Sequence, residues 1–170
     1  MNNGRFVVMG VSGSGKSLIG GALAHALDVE FVEGDVFHSE ENIRKMSAGI
    51  PLTDADRAEW LRALAFRLRV HKKAGSGIVV ACSALKRAYR DVLRAGADDV
   101  QFIYLKGPGD LIAERLKSRG GHFMPASLLD SQLTTLEEPT PDENAWVCDI
   151  TRPPAEIITD LVARASRPSP

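Results

Sequence analysis

Residues 10–17 constrain the fold more than any other part of the chain. They fit the pattern G-x-x-x-x-G-K-[ST], in which glycines let backbone N–H groups curl around phosphate oxygens. An apolar run at 6–10 leads into them, and an apolar periodic stretch at 17–27 follows. Strand, loop and helix in this order predict a phosphate-binding loop, because the helix N-terminus adds its positive end. The loop residues are Gly10, Val11, Ser12, Gly13, Ser14, Gly15, Lys16 and Ser17.

Two side chains of this loop carry the expected chemistry. Lys16 can reach the β- and γ-phosphates of a nucleoside triphosphate, and the Ser17 hydroxyl can bind Mg²⁺. A chance Gly/Ser-rich turn is the alternative, but it does not account for the flanking strand and helix. The sequence therefore predicts a nucleoside triphosphate site with magnesium.

The rest of the chain continues the alternation of strand and helix. Further strands are predicted at 30–33, 78–82, 100–105 and 145–148, and helices at about 40–49, 54–74, 86–95, 108–119, 128–136 and 154–165. Strand 78–82 is apolar on both faces, as expected when helices cover both sides of a parallel sheet. The pattern predicts an α/β fold, a three-layer α/β/α sandwich with a mostly parallel five-stranded sheet. We expect one domain over residues 1–166 and a tail at 167–170.

Composition and charge exclude several classes of protein. Lys plus Arg total 21 against 22 for Asp plus Glu, so the formal net charge of −1 gives no signal for nucleic acid or an anionic membrane. The longest apolar runs hold five or six residues, and the N-terminus lacks the features of a signal peptide. Cys82 and Cys148 both lie in strand-like apolar segments, which supports neither a disulfide scaffold nor a zinc cluster. We expect a cytoplasmic protein with no nucleic-acid or membrane partner, and Cys82 as a small buried hydrophobe.

The position of the acidic residues narrows the class of phosphate-loop protein. The strands at 78–82 and 100–105 run into Ser83 and Lys106, so neither ends in the acid that hydrolysing and motor-type proteins use. An acid follows the second strand instead, at Asp35. This placement resembles the small-molecule and nucleoside monophosphate kinases, in which that region faces the acceptor. A turn or helix-capping role is the alternative for Asp35.

Three longer stretches are more specific than the loop. They read GD-x-x-H at 34–38, N-I-x-K-M-x-x-G-x-P-L-x-D-x-D-R at 42–57 with Trp60 after it, and A-C-S-A-L-K-R-x-Y-R at 81–90, with shorter matches at 119–124 and 131–139. In these the chain resembles the gluconate kinases (gluconokinases) over about residues 6–150. Glu59 departs from the family, which usually has Pro there, and Leu133 stands where an aromatic is common.

The resemblance implies ATP-dependent phosphorylation of D-gluconate at its primary hydroxyl, and relatives suggest a homodimer. Asp35 would orient the acceptor hydroxyl and accept its proton. A sugar acid carries a carboxylate and several hydroxyls, so its binding site needs cations and hydrogen-bonding side chains. We expect this site at the acceptor-binding helices, about 36–74, and at the nearby edge of the sheet. The substrate-binding candidates are Asp35, His38, Arg57, Lys86, Arg87 and His122.

Most of these candidates have a purely structural alternative. Arg57 could form a surface ion pair with Asp54 or Asp56. Lys86 and Arg87 could be a solvated first turn of a helix, although cations there oppose the helix dipole and a bound anion would explain them better. His38 or His122 could be a structural hydrogen-bonding residue.

Arginines late in the chain complete the predicted site. Arg115 and Arg119 are four residues apart on one helix face, before Gly120 and Gly121. This suits a lid at about 119–137 that closes over ATP and lays guanidinium groups on the transferring phosphoryl group; a solvated basic face is the alternative. Arg152, after the last strand, is predicted to line the adenine. The predicted catalytic residues are Lys16, Asp35, Arg115 and Arg119.

Two other functions stay open at this point. One is a kinase for shikimate or a nucleoside monophosphate, although residues 82–87 lack the glycine cluster that shikimate kinases carry after the third strand. The other is a nucleotide-binding regulatory module without turnover. Such a module would not need an acceptor acid, a basic set and a lid together.

Overall fold

A parallel sheet with β1 at its centre organises the fold. The computed structural model describes residues 2–118 and 126–167, and in these residues five strands pair in the order β2-β3-β1-β4-β5, all parallel. The strands are β1 (Arg5–Met9), β2 (Glu30–Glu33), β3 (Ile78–Ala81), β4 (Gln101–Lys106) and β5 (Trp146–Asp149). The predicted fold class is confirmed.

Helices cover both faces of this sheet. They are α1 (Lys16–Leu27), α2 (Glu40–Ser47), α3 (Asp54–Ala74), α4 (Arg87–Gly96), α5 (Gly109–Ser118), α6 (Ala126–Thr135) and α7 (Pro154–Ala165). The connection from β1 to β2 crosses the sheet in one direction, and the connection from β2 to β3 crosses it in the opposite direction. Because both crossovers are right-handed, α1 and α3 lie on opposite faces of the sheet. α1 packs with α7, and α3 packs with α4. Every residue of β1 and β3 is therefore buried.

The longest helix, α3, shows how local sequence fixes the boundaries. Thr53 and Asp56 form a reciprocal capping box at its start, and Gly75, with φ of +68°, ends it. The spacing of apolar residues in this helix predicts a buried stripe at Trp60, Leu61, Leu64, Leu68 and Val70, and the first four of these are buried. The prediction for Val70 is wrong, because a residue two positions beyond Leu68 faces the opposite side, and Val70 is 44% exposed.

Short 3-10 turns at Gly34–Phe37 and Pro141–Glu143 are the elements that the sequence did not predict. The first depends on Gly34, because a Cβ there would lie 2.3 Å from the carbonyl oxygen of Ala81. The turn therefore lies tightly against the end of β3 and carries Asp35 to the carboxyl edge of the sheet. This edge is where ligands bind in parallel α/β sheets.

Three further observations bear on the predictions. Cys82 is buried, and burial raises the pKa of its thiol to about 12, which confirms it as a small buried hydrophobe. Arg119 and His122 lie outside the described residues, as does most of the predicted tail; within the predicted lid, α6 is described. No helix of residues 2–118 or 126–167 has the length and apolarity to cross a membrane.

Candidate active site

The phosphate loop takes a conformation that only glycine permits at its key positions. Gly13 and Gly15 have φ of +85° and +101°, in the left-handed region. A Cβ on Gly13 would also lie 2.8 Å from Cγ of Leu116. Lys16 begins α1, and its ammonium donates to the carbonyl oxygen of Val11 at 3.1 Å, across the loop. The cradle and its lysine fit the phosphates of a nucleotide.

Ser17, the predicted magnesium ligand, is joined to a carboxylate. Its hydroxyl donates a hydrogen bond to Glu33, the last residue of β2. Hydroxyl and carboxylate oxygens suit Mg²⁺, which takes one or two protein ligands and completes its shell with phosphates and water. Among the described residues, no group of three His, Cys, Asp or Glu side chains could hold a metal by itself. The pair therefore fits a metal that arrives with the nucleotide.

A pocket next to the phosphate loop gathers five of the predicted residues, among them Ser12 of the loop. It spans about 540 Å³ of empty space, part of it open to solvent. Lys16, Asp35, His38 and Arg57 all line it, beside an apolar wall. The full lining is Ser12, Lys16, Asp35, His38, Met46, Pro51, Leu52, Arg57, Trp60, Ser83, Leu85, Leu128, Ser131 and Gln132. The pocket therefore joins the phosphate loop to the acid after β2.

Trp60 holds the turn that carries Asp35. Its indole Nε1 donates to the carbonyl oxygen of Gly34 at 2.8 Å. Its ring also stacks on His38, with centroids 4.1 Å apart and planes 20° apart. The backbone N–H of His38 in turn donates to the carbonyl oxygen of Asp35 at 3.2 Å. One buried aromatic ring thus fixes the acid and the histidine together.

His38 is a neutral hydrogen-bond donor in this pocket. Burial lowers the pKa of its ring, with the carboxylate of Asp35 opposing and the charge of Arg57 adding to the effect. Asn42 Nδ2 donates to the carbonyl oxygen of Asp56 at 2.8 Å, which fixes the orientation of the amide. The same nitrogen lies 3.3 Å from His38 Nδ1, so Nδ1 accepts and the ring proton is on Nε2.

Arg57 is held by neutral groups rather than by an aspartate. Its Nη1 donates to the carbonyl oxygen of Leu52 at 2.8 Å and to the hydroxyl of Tyr89 at 2.9 Å. The hydroxyl of Tyr89 donates its own hydrogen bond to Asp54, while Asp56 pairs with a lysine of α2. Nε and Nη2 of Arg57 make no hydrogen bond within residues 2–118 and 126–167. The guanidinium therefore keeps donors for a ligand in the pocket.

Lys86 and Arg87 are not brought to the pocket wall. Lys86 Nζ lies 3.1 Å from Asp54, and Arg87 Nη2 lies 2.6 Å from Asp142. Arg87 also donates to the hydroxyl of Thr140 at 2.8 Å. Their contacts here are partly exposed ion pairs, and their role in binding an acceptor stays a prediction.

A buried ion cluster supports the loop between β3 and α4. The side chain of Arg90 is fully buried; its Nε lies 2.7 Å from Glu143, and its Nη1 donates to the carbonyl oxygen of Ala84 at 2.9 Å. Arg94 also pairs with Glu143, at 2.6 Å. Burial alone would raise the pKa of Glu143, but the two guanidinium groups outweigh it and lower that pKa to about 2. The cluster holds the pocket-lining loop at Ala84, whose φ is +46°.

Arg115 and Arg152 flank the loop after β5. Arg115 Nη2 donates to the carbonyl oxygen of Ile150 at 2.8 Å, and Arg152 pairs with Asp160 at 2.7 Å. Gly107 permits the close approach of Ile150, because a Cβ there would lie 2.3 Å from it. The predicted nucleotide contacts of both arginines stay predictions.

Comparison with known proteins places the chain in a family. A family model described as an AAA domain matches residues 6–139. The thermoresistant gluconokinase of Escherichia coli K12 is 44% identical over 92% of this chain and 90% of its own, and the gluconokinase of Gluconobacter oxydans is 47% identical over 92% and 88%. The chain belongs to the gluconokinase family. The resemblance predicted from the sequence is confirmed.

Solved structures of gluconokinase-family and other kinases agree with this placement. The crystal structure of a gluconokinase from Sinorhizobium meliloti 1021 is 50% identical, with a TM-score of 0.87 over 96% of this chain and 92% of that one. An unliganded sugar kinase from Janibacter sp. HTCC2649 is 51% identical, with a TM-score of 0.90 over 94% and 92%. The Mycobacterium tuberculosis APS kinase CysC, 18% identical with a TM-score of 0.68, shares the fold alone.

Two polar contacts of this gluconokinase-family chain were missed in the sequence. Glu33 stands two residues before Asp35, so the pair of acids at the end of β2 was a visible signal. Gln132 of α6 accepts a hydrogen bond from the backbone N–H of Ser12 at 2.7 Å. Its position in the motif was visible, but its partner 120 residues away was not.

Proposed function

We propose that this protein transfers the γ-phosphoryl group of ATP to the primary hydroxyl of D-gluconate, giving 6-phospho-D-gluconate and ADP. The observation that carries the proposal is the pocket that Lys16 of the phosphate loop, Asp35 and Arg57 line together, in a chain of the gluconokinase family. A phosphate cradle without an acceptor acid would serve a binding module equally well. The shared pocket favours transfer to a small acceptor.

Lys16 and Asp35 act on the two ends of the transfer. Lys16 stabilises the charge that spreads over the γ-phosphoryl oxygens in the transition state. Asp35 orients the acceptor hydroxyl and takes its proton as the oxygen bonds to phosphorus. The bond from phosphorus to the β–γ bridging oxygen breaks, and ADP leaves with that oxygen.

Ser17 and Glu33 are the residues that would hold Mg²⁺. When bound, the metal neutralises phosphate charge and helps to orient the γ-phosphoryl group. The hydroxyl of Ser17 and the carboxylate of Glu33 already contact each other, so both oxygens lie at one place beside the loop. Their pairing supports a site completed by phosphate oxygens.

The acceptor is recognised by a cation, a neutral donor and an apolar wall. The guanidinium of Arg57 binds the carboxylate of the acceptor, because its Nε and Nη2 can both donate to carboxylate oxygens. His38 offers Nε2–H to a hydroxyl oxygen. A neutral sugar of similar size would leave Arg57 unpaired, and this disfavours glucose.

The remaining assignments belong to the same proposal. Arg115, near the end of α5, and Arg119, at the start of a lid over about 119–137, act on the transferring phosphoryl group. His122 contacts the acceptor, and Arg152 lies along the adenine. Lys86 and Arg87 supply positive potential beside the acceptor. We place the whole activity in a single domain over 1–166 of a cytoplasmic enzyme that forms a homodimer.

Acceptor-dependent release of ADP tests the proposal. The purified protein with Mg-ATP is given D-gluconate, glucose, shikimate or AMP, and ADP is measured for wild type, Asp35→Asn and a matched control, Asp98→Asn. Asp98 is exposed at the opposite end of the sheet, where it pairs with a lysine. Gluconate should give the fastest release, and Asp35→Asn should lower turnover by roughly 10²–10⁴ while Asp98→Asn stays near wild type.

Other outcomes would each remove part of the proposal. Faster release with shikimate or AMP would assign a different kinase. Release that ignores every acceptor would indicate a module without transfer. An Asp35→Asn protein that matches Asp98→Asn would make Asp35 a turn residue.

A further inference from the structure

A helix on the acceptor side is tied to the backbone of the phosphate loop. Gln132 lies on α6, and its side-chain Oε1 accepts from the backbone N–H of Ser12 at 2.7 Å. Both residues line the pocket that also contains Lys16 and Asp35. The contact therefore sits where a nucleotide phosphate and an acceptor would meet.

This contact fixes the orientation of the Gln132 amide. A backbone N–H can only donate, so the amide oxygen must be the atom that faces Ser12. The other end of the amide, the NH₂ group, is a pure donor. The contact with the loop therefore means that Gln132 acts towards a ligand as a hydrogen-bond donor.

The helix that carries Gln132 is anchored on both sides of it. Leu128, one turn earlier, packs in a buried cluster with Met46 and Leu52 of the acceptor side. After α6, the backbone N–H of Glu137 donates to the carbonyl oxygen of Leu85 at 2.8 Å, at the loop after β3. These anchors hold the amide at a defined place, as a residue that selects among small ligands requires.

We propose that Gln132 determines acceptor specificity: with its oxygen held by Ser12, its NH₂ group donates to an oxygen of the sugar acid bound beside Asp35. The inference rests on the proposed function, because it names how that same pocket reads its acceptor. Epimers of a sugar acid differ in the position of one hydroxyl oxygen. A donor held in a fixed position can reach that oxygen in one epimer and not in the other, and so can distinguish them.

Two substitutions separate this role from a tether to the loop. Gln132→Met keeps the length of the side chain and removes both the oxygen that accepts from Ser12 and the NH₂ donor. Gln132→Glu keeps an oxygen for Ser12 but replaces the donor with a second oxygen. Gln101→Met is the matched control, because Gln101 is the other glutamine and binds the carbonyl oxygen of Asn144 at the far end of β4.

The assay measures kcat/KM for D-gluconate and for its C2 and C4 epimers at saturating ATP, with KM for ATP and Tm measured separately. We expect Gln132→Met to lower kcat/KM for gluconate about 10-fold or more. The ratio of kcat/KM for gluconate to kcat/KM for an epimer should fall as well. Gln132→Glu should be at least as impaired, since a carboxylate faces an anionic acceptor. Gln101→Met should match wild type.

Each contrary result has a distinct meaning. If Gln132→Glu retains wild-type kcat/KM while Gln132→Met loses it, the tether alone matters and the proposal is overturned. Equal losses for all epimers, a change confined to KM for ATP, or no change in either variant also overturn it. A wild-type protein that ignores gluconate overturns the proposed function itself, and this inference with it.

Discussion

Replacing Trp60 with phenylalanine isolates the hydrogen bond that holds the turn before Asp35. Phenylalanine keeps an aromatic face for His38 but removes the indole N–H that donates to the Gly34 carbonyl oxygen at 2.8 Å. Trp60 is only 3% exposed and Gly34 is buried, so water cannot easily replace the lost donor. The variant should therefore show both lower stability and a misplaced carboxylate.

The expected magnitude follows from two terms. A buried carbonyl left without its partner costs about 1–3 kcal/mol, and the smaller ring leaves a cavity that adds about 1 kcal/mol. The sum of about 2–4 kcal/mol corresponds to a Tm lower by roughly 5–15 °C in a chain of this size. A shift of Asp35 relative to the acceptor should lower kcat/KM for gluconate about 10- to 100-fold.

The protein contains its own control for this experiment. Trp146, the second of the two tryptophans, is half-buried on β5 and contacts Phe6, with no hydrogen bond from its indole to the residues at 2–118 and 126–167. Trp146→Phe should cost about 1 kcal/mol and leave kinetics unchanged. Thermal unfolding and steady-state assays of both variants would refute the reasoning if Trp60→Phe lost no more activity than Trp146→Phe.

Three further predictions follow from other contacts. Lys16→Ala should lower turnover by about 10²–10³ or more with an unchanged Tm, and near-normal turnover in the coupled ADP assay would contradict the role of Lys16. Glu143→Gln should cost about 3–5 kcal/mol at pH 7. Because the folded pKa of Glu143 is about 2 against an ordinary 4.5, its stabilisation is present above pH 4.5 and is lost as the pH falls towards 2, so urea titrations should show a flatter acid limb in the variant. Gly34→Ala should destabilise by several kcal/mol, since its Cβ would meet the Ala81 carbonyl oxygen, whereas Gly21→Ala, in open space on α1, should stabilise by about 0.5–1 kcal/mol; equal melting temperatures would contradict this contrast.

Local patterns predicted the features that depend on neighbours in sequence. The phosphate loop requires glycines between a strand and a helix, and all of those residues are adjacent in the chain. Asp35 follows a strand, and the carboxyl ends of parallel strands share one edge, so its place in the site was predictable as well. The capping box at Thr53 and Asp56 is likewise local.

The parts that could not be predicted depend on partners far along the chain. Lys86 and Arg87 were placed near the acceptor from their position after β3, but their charges contact Asp54 and Asp142, which only the tertiary fold brings near. The burial of Arg90 depends on Glu143, 53 residues later. No periodicity encodes such a pairing.

Identification of the product tests the central claim most directly. The protein is incubated with Mg-ATP and D-gluconate, and the phosphorylated product is examined by phosphorus NMR with proton coupling. Transfer to the primary hydroxyl predicts one new phosphomonoester whose phosphorus couples to the two protons of C6, formed in step with ADP. A phosphomonoester coupled to a single proton, or inorganic phosphate with no phosphoester, would contradict the account.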